Sequence, residues 1–456
     1  MKPLRTIILN FLFFLRSGKR ILSEMKFYQK YEYKSLKENL EIQEINLKNI
    51  LYYSWLHIPY YKNVLEDSNV IIDGEIHLEN FHKIKILDKE TLHNNFESLI
   101  TTDKNHYNRK MYTNTSGGST GEPTKFIQDH KYRIIETAVK WFYFTFLTDF
   151  PCKHITLWGS EKDIIKGKFN IKRHLVTFLQ QKSILNSFRM TEENMYKYVQ
   201  FINKKKPKLI ESYTQAIYSL SIFIKNNNLR VFSPIGIVTS AGTLFPFMKE
   251  LIEDVFKCPV LNRYGSREVG DIACSCTKNQ GLHVNILNNF VEILDDNLKP
   301  VKPGETGKIY VTKLTNFSMP LIRYQIGDIG VQAENNTCSC GRGFPLIKFI
   351  EGREMSVFKT KSGTIIPAEF FIHFIGVVYN EGIISKFQVI QDDFDEITIK
   401  YILEKSDGFD LYKNQISKSI HKVMGDNVKI TWEQVDNIPF LPSGKYLYTI
   451  SKLDKK

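Results

Sequence analysis

The chain has 456 residues, 62 Lys and Arg against 49 Asp and Glu, a formal net charge of +13, and is 42% hydrophobic and 24% charged. That length predicts two or three domains with room for a buried core, and the ordinary apolar share excludes a disordered or low-complexity protein. Six Cys exclude a secreted disulfide scaffold and suggest a reducing compartment, which leaves metal binding or inert thiols as their use. The basic excess suits nucleic acid, anionic lipid or a phosphorylated small molecule. Lys, Asn and Ile are abundant throughout, however, so blocks such as Lys204-Lys205-Lys206 read as solvated surface, and no nucleic-acid signature accompanies the charge.

At the start of the chain, residues 7–15 are apolar but interrupted by Asn10 and flanked by Arg5, Arg16, Lys19 and Arg20. A spanning helix needs about 20 apolar residues, so this segment is too short, and it lacks the small-residue site of a signal peptide. It predicts a buried N-terminal helix, with an interfacial amphipathic segment on anionic lipid as the alternative. The chain is accordingly expected to be soluble and cytoplasmic, or peripheral to a membrane. Helical periodicity dominates the first hundred residues, as in 35–51 and 52–65.

From Lys110 the pattern alternates. Strands are expected at 208–213, 235–239, 259–264, 290–294 and 308–314, with helices at 132–146 behind an Asp129 cap and at 247–256 behind Pro246. Strand–helix alternation predicts a layered α/β core. After Ile350 the pattern changes to strands at 386–390, 396–403 and 428–435, with an intervening helix. That helix carries Leu411, Ile416, Ile420 and Val423, is capped by Ser406 or Asp407, and is closed by Gly425. This predicts an α+β module of about a hundred residues with its own core. The expected division is a large domain of 1–351 and a small one of 352–456.

The strongest chemical signal runs from Thr115 to Lys125. Gly117, Gly118 and Gly121 let the backbone approach a ligand and turn successive N–H groups toward an anion. The hydroxyls of Ser116, Ser119 and Thr120, with Lys125, add donors for phosphate oxygens. The segment does not satisfy the Walker pattern, so it is not a P-loop. Further along come Arg263-Tyr264-Gly265-Ser266-Arg267-Glu268, Arg323-Tyr324-Gln325-Ile326-Gly327-Asp328, Gly352-Arg353 and Leu441-Pro442-Ser443-Gly444-Lys445. Each alone is weak. Cys276 and His283, with the tight pair Cys338 and Cys340, form a second constellation, a Cys₃His set with no open position and therefore a structural zinc site.

Taken in this order and spacing, the motifs resemble the adenylate-forming (acyl-activating, ANL) superfamily, and within it the phenylacetate–CoA ligase branch with its CapK-type proteins of capsular polysaccharide synthesis. Supporting segments are Leu56-His57-Ile58-Pro59-Tyr60-Tyr61, Leu87-Asp88-Lys89-Glu90, Thr239-Ser240-Ala241 and Gly281-Leu282-His283-Val284; the likeness covers about residues 35–450. The resemblance implies that Ser116 to Lys125 hold the β- and γ-phosphates of ATP and that Tyr264, with Gly265 and Ser266, lies against adenine. It implies Glu268 as the Mg²⁺ ligand, Asp328 on the ribose assisted by Arg353, and Lys445 at the α-phosphate, with Thr120 beside the reacting phosphates. It also supports the four zinc ligands. The implied fold is α/β for the large domain with a small mobile α+β domain.

Acyl-pocket candidates lie between the phosphate loop and Tyr264: Trp141, Phe142, Trp158, Tyr213, Ser240, Ala241 and Gly242. Two departures stand out. Relatives carry Glu where this chain has Gly242, and Asp or Lys at the hinge where it has Glu354 and Met355. The expected activity is ATP-dependent activation of a carboxylic acid as an acyl-adenylate, followed by transfer to a thiol such as coenzyme A. Transfer to an amino sugar or amino acid is the alternative, and a non-catalytic nucleotide-binding interaction protein the second. A homodimer is the base expectation for oligomeric state.

Overall fold

The computed structural model describes residues 7–8, 10–12, 14–15, 20–107, 110–115, 124–158, 176–187, 190, 192–353, 358–361, 365–366, 371, 375, 383–438 and 447–453. Its contacts divide the chain into two units, one of 1–116, 124–326 and 331–349, the other of 117–123, 327–330 and 350–456.

The first unit opens with helices α1 (Ile21–Tyr31), α2 (Leu36–His57) and α3 (Pro59–Asp67). Ser35 starts α2 through a capping box: its hydroxyl accepts from the Glu38 N–H, and the Glu38 carboxylate accepts from the Ser35 N–H at 2.9 Å. Pro59 stops it, because a proline can begin a helix but cannot extend one. The hairpin β1 (Tyr112–Thr115) and β2 (Lys125–Gln128) follows, then α4 (His130–Phe144), whose Asp129 cap accepts from the Tyr132 N–H at 2.6 Å.

Strands and helices then alternate through β3 (His154–Leu157), β4 (Lys182–Leu185), α5 (Glu192–Lys205), β5 (Leu209–Tyr213), α6 (Thr214–Asn226), β6 (Gly236–Ser240), α7 (Pro246–Phe256) and β7 (Val260–Ser266). These five strands pair in parallel. Every residue of β3 and β6 is buried, as expected of strands covered on both faces. The remaining strands of the sheet are β8 (Gly270–Ser275), β9 (Leu282–Val284), β10 (Asn289–Leu294), β11 (Thr306–Lys313), β12 (Tyr324–Gln332) and β13 (Leu346–Arg353). The eleven-stranded order is β10-β11-β12-β13-β9-β8-β7-β6-β5-β3-β4. The mixed α/β class expected of this part of the chain is what is observed.

The second unit contains β14 (Ile384–Asp393), β15 (Glu396–Leu403), α8 (Phe409–Met424), β16 (Lys429–Gln434) and β17 (Thr449–Ser451), in sheet order β16-β15-β14-β17. One face of α8, Tyr412, Ile416, Ile420 and Met424, packs with Val389, Ile397 and Ile399 of the sheet. Two local expectations are corrected here. The N-cap of α8 is Gly408, at φ +80°, where neither Ser406 nor Asp407 supplies a side-chain cap. Leu411 is 64% exposed, because Tyr412 occupies the core-facing position at the spacing of Ile416 and Ile420.

The N-terminal segment is also corrected. Residues 7–8, 10–12 and 14–15 are helical, but Ile7, Ile8, Phe11, Phe14 and Leu15 are all exposed rather than buried. Among the described residues no helix is long and apolar enough to cross a membrane.

Candidate active site and metal centre

The parallel strands end along one edge of the sheet, the place where open α/β sheets bind ligands. Register fixes what stands there. Leu157 pairs with Ser212, Tyr213 with Ser240, and Thr239 with Asn262, so Trp158, Tyr213 and Ser240 to Gly242 follow one another along that edge toward Arg263 and Tyr264. The rings of Trp158 and Tyr213 stack with centroids 3.9 Å apart and planes 28° apart. Ala241, at φ +60°, and Gly242 are exposed, and the Thr214 hydroxyl donates to the Gly242 carbonyl at 3.0 Å. A left-handed alanine costs of order 1 kcal/mol or more, and such strain collects at functional turns. Trp141 and Phe142 sit elsewhere: both are buried on α4, Trp141 edge-on to Phe150 at 5.0 Å.

Strand β7 carries Tyr264, Gly265 and Ser266 and turns back into β8 through Arg267, Glu268 and Val269. Gly270 closes this three-residue loop at φ +72°, the left-handed position such hairpins require. A Cβ on Gly270 would stand 1.8 Å from Glu136 Oε2, and one on Gly265 would stand 2.3 Å from the Gly270 carbonyl. Gly265 is thus required for strand packing whatever approaches its other side. Tyr264 is 9% exposed and Glu268 4% exposed.

Several side chains clamp this loop. Gln128 donates to the Arg267 carbonyl at 2.9 Å and to the Glu268 carbonyl at 3.5 Å. Glu136 accepts from the Asp271 N–H at 3.0 Å. Arg263 grips both Asp271 oxygens at 2.7 and 2.8 Å and donates to Glu211 at 2.8 Å. Burial is the largest influence on Glu211 and opposes its charge, yet Lys140 and Arg263 hold its carboxyl well below the usual carboxylate range. Behind Glu136 stands Lys313, fully buried, its ammonium 2.7 Å from the Glu136 carboxylate.

The root of the expected phosphate loop meets the same hairpin. Thr115 and Lys125 pair across β1 and β2, and Arg267 donates to the Thr115 carbonyl at 3.3 Å. The carboxyl edge of the parallel strands, the Glu268 turn and the two ends of the Ser/Gly segment therefore form one neighbourhood. Ser116, Gly117, Gly118, Ser119, Thr120, Gly121 and Lys445 lie outside the described residues, as do Glu354 and Met355. Asp328 lies on β12 and is 7% exposed; Arg353 is the last residue of β13. Arg323 is structural: its side chain, 1% exposed, donates to Glu292 at 3.1 Å and to the Ile84 carbonyl at 2.7 Å. Sequence reasoning missed Gln128, Glu136 and Lys313, since no local pattern marks polar groups that meet only in the folded chain.

The Cys/His set does assemble. The ligand atoms of Cys276, His283, Cys338 and Cys340 all lie within 4.8 Å of one another. The sulfurs of Cys276 and Cys338 are 3.6 Å apart, and Cys340 Sγ is 3.3 Å from His283 Nε2. Zinc bond lengths place tetrahedral S···S and S···N edges at about 3.8 and 3.6 Å, so these two edges are close to that geometry and shifts of about an ångström would gather all four donors around one ion. Burial holds His283 in its neutral, metal-binding form, pushing its pKa down to about 4. Arg342 backs the cluster, donating to Glu32 at 2.7 Å and lying 3.9 Å over the Phe146 ring. Cys152, Cys258 and Cys274 are buried thiols outside the four-residue set, although Cys274 pairs across the strands with His283, and burial pushes Cys258 up to about 12.

Comparison with known proteins shows what the chain is similar to. Residues 358–452 match the family described as the CapK C-terminal domain. The chain is 26% identical to protein CapK of Staphylococcus aureus, over 93% of each chain. It is 23% identical to phenylacetate-coenzyme A ligase of Thermus thermophilus, over 89% of this chain and 92% of that one. Among solved structures, 2-hydroxyisobutyryl-CoA ligase in its postadenylation state aligns with a TM-score of 0.69 at 15% identity, covering 94% of this chain and 92% of that one.

Proposed function

Starting from a chain with the fold of the adenylate-forming acid–CoA ligases and relatives named protein CapK and phenylacetate-coenzyme A ligase, we propose that it is an ATP-dependent acid-activating ligase. It would form an acyl-adenylate from a carboxylic acid and pass the acyl group to a thiol such as coenzyme A, in the building of a surface or capsular polysaccharide. The observation that carries this reading is the meeting of the Ser/Gly loop's root with the Glu268 hairpin through Arg267 and Gln128.

On this reading the chain's own groups divide the work. The Ser116 to Lys125 segment binds the outer phosphates, Tyr264 packs on the base, and Asp328 and Arg353 hold the ribose. Glu268, a hard oxygen donor on a clamped turn, is suited to Mg²⁺, which would neutralise charge as two anions meet. Lys445 supplies a second positive charge at the reacting phosphate. Trp158, Tyr213, Ser240, Ala241 and Gly242 border the acid. With Gly242 in place of a carboxylate, that border is smaller and uncharged, and the Ala241–Gly242 turn is open to solvent.

Cys276, His283, Cys338 and Cys340 would hold a structural zinc that ties the end of β8 to the segment after β12. All four positions are filled by protein donors, so the ion would have no place for substrate.

Pyrophosphate release measured over a panel of carboxylic acids tests the first step. At least one acid should support it, and Lys445→Ala should lower the rate by about a hundredfold or more with nucleotide still bound. Nucleotide binding without release for any acid would favour the non-catalytic reading. Trapping with hydroxylamine, with and without coenzyme A, then separates thioester formation from transfer to an amine such as an amino sugar.

A further inference from the structure

Positions 7, 8, 11, 14 and 15 follow the i, i+1, i+4, i+7, i+8 pattern and fall within about 120° on one helical face. Those positions are Ile7, Ile8, Phe11, Phe14 and Leu15, exposed to 63%, 39%, 57%, 40% and 64%. Asn10, on the flank, accepts from the Leu22 N–H at 3.3 Å and so ties the segment to the start of α1. Among the described residues nothing covers this apolar stripe, and a contiguous patch of this kind marks a contact surface.

Its charge setting narrows the partner. The first 30 residues carry seven Lys or Arg and one Glu. Arg20 is exposed with its guanidinium 5.4 Å over the Phe14 ring, at the end of the stripe, and Lys26 and Lys30 are exposed on either side of Phe27, itself 40% exposed. Two copies meeting through this face would bring two such basic groups together, a repulsive arrangement. A layer of anionic headgroups over hydrocarbon would neutralise the basic side chains and cover the apolar ones. The described helical residues 7–8, 10–12 and 14–15 fall within nine positions, about 14 Å at the helical rise and less than half a hydrocarbon core, so the stripe would lie in the interface rather than cross it.

We propose that Ile7, Ile8, Phe11, Phe14 and Leu15, with Arg20, Lys26 and Lys30, dock the protein on an anionic membrane surface. The test is vesicle co-sedimentation of the full chain. Phosphatidylcholine vesicles with about one third phosphatidylglycerol should bind it at about 0.15 M salt, with partitioning falling several-fold in high salt or on neutral vesicles. The double variant Phe11→Asp/Phe14→Asp should lose about tenfold in partitioning while nucleotide binding and circular dichroism stay unchanged. The charge reversal Lys26→Glu/Lys30→Glu should weaken binding to anionic vesicles alone. Equal partitioning of parent and both variants would overturn the proposal. So would a sedimentation profile in which the parent is dimeric, the Phe11/Phe14 variant is monomeric, and neither binds vesicles.

Discussion

Gln128 and Arg267 stand 139 positions apart in the chain, and the Gln128 side-chain amide donates to the Arg267 backbone carbonyl at 2.9 Å. The bond joins β2, which ends the expected phosphate-binding segment, to the turn that presents Glu268. On the proposed mechanism Gln128 touches no reactant and acts only by holding that turn. Gln128→Leu is close in size and removes the donor to the turn, together with the Oε1 that accepts from the Tyr112 hydroxyl and the Asn114 amide within the β1–β2 hairpin. The expected result is a Mg²⁺ half-saturation raised about three- to tenfold, with the rate at saturating Mg²⁺ largely retained, because the lost bond is worth about 1 kcal/mol. Titrating pyrophosphate release against Mg²⁺ decides it; an unchanged metal dependence removes the positioning role.

The same turn predicts a stability effect. An alanine at Gly270 would need a left-handed backbone, and its Cβ would stand 1.8 Å from Glu136 Oε2. Glu136 can retreat only by leaving the Asp271 N–H and Lys313, and Lys313 is itself fully buried. Gly270→Ala should therefore cost about 2–4 kcal/mol in urea unfolding. Lys313→Met should cost a similar amount by leaving Glu136 buried without its ion-pair partner. A shift under about 0.5 kcal/mol in both would mean that the turn is not held as described.

For the metal centre, protein purified without chelator should contain about one zinc per chain, and Cys338→Ser should release it. Stripping the ion should lower the melting temperature by several degrees or more, with recovery on adding zinc. Thiols at the observed spacing with no ion would be an uncommon arrangement, since two sulfurs 3.6 Å apart are already at the edge length of a zinc tetrahedron. Metal analysis returning no zinc in folded, monodisperse protein sinks the assignment.

What could be read from the sequence follows from how local each cause is. Asp129 and Pro246 mark helix starts through bonds or ring constraints reaching only a few residues, and both helices begin there. The strands at 235–239 and 290–294 appear within a residue of expectation because their apolar runs reflect burial directly. The Cys₃His set was legible because its donor types are rare and chemically specific. By contrast, the Gly408 cap depends on a backbone angle, and nothing local distinguishes it from the nearby Ser406 and Asp407. The exposure of Phe11 and Phe14 depends on what the rest of the chain covers, so apolarity alone pointed the wrong way. Gln128, Glu136 and Lys313 form a cluster only once β2, α4 and β11 are adjacent.

His154 gives the clearest pH dependence. Its side chain is 4% exposed at the start of β3, its Nδ1 lies 2.9 Å from the Cys152 carbonyl and so carries the proton, and its ring packs 5.1 Å from that of Phe150. Burial pushes its pKa from 6.5 down to about 4, against the opposing pull of the Cys152 carbonyl. In the unfolded chain the ring takes up a proton as pH falls through about 6.5, whereas the folded ring stays neutral until about 4. The unfolded state thus binds more protons in that window. The contribution of His154 is complete above pH 6.5 and is lost as pH falls toward 4, by about 3 kcal/mol in all. His154→Asn keeps a donor near the Nδ1 position but cannot titrate. Urea unfolding at a series of pH values should show the variant less stable than the parent at pH 7, where ring packing is lost, with the gap closing as pH falls. Parallel stability curves from pH 7 to pH 4.5 would mean that the folded ring protonates as freely as the unfolded one.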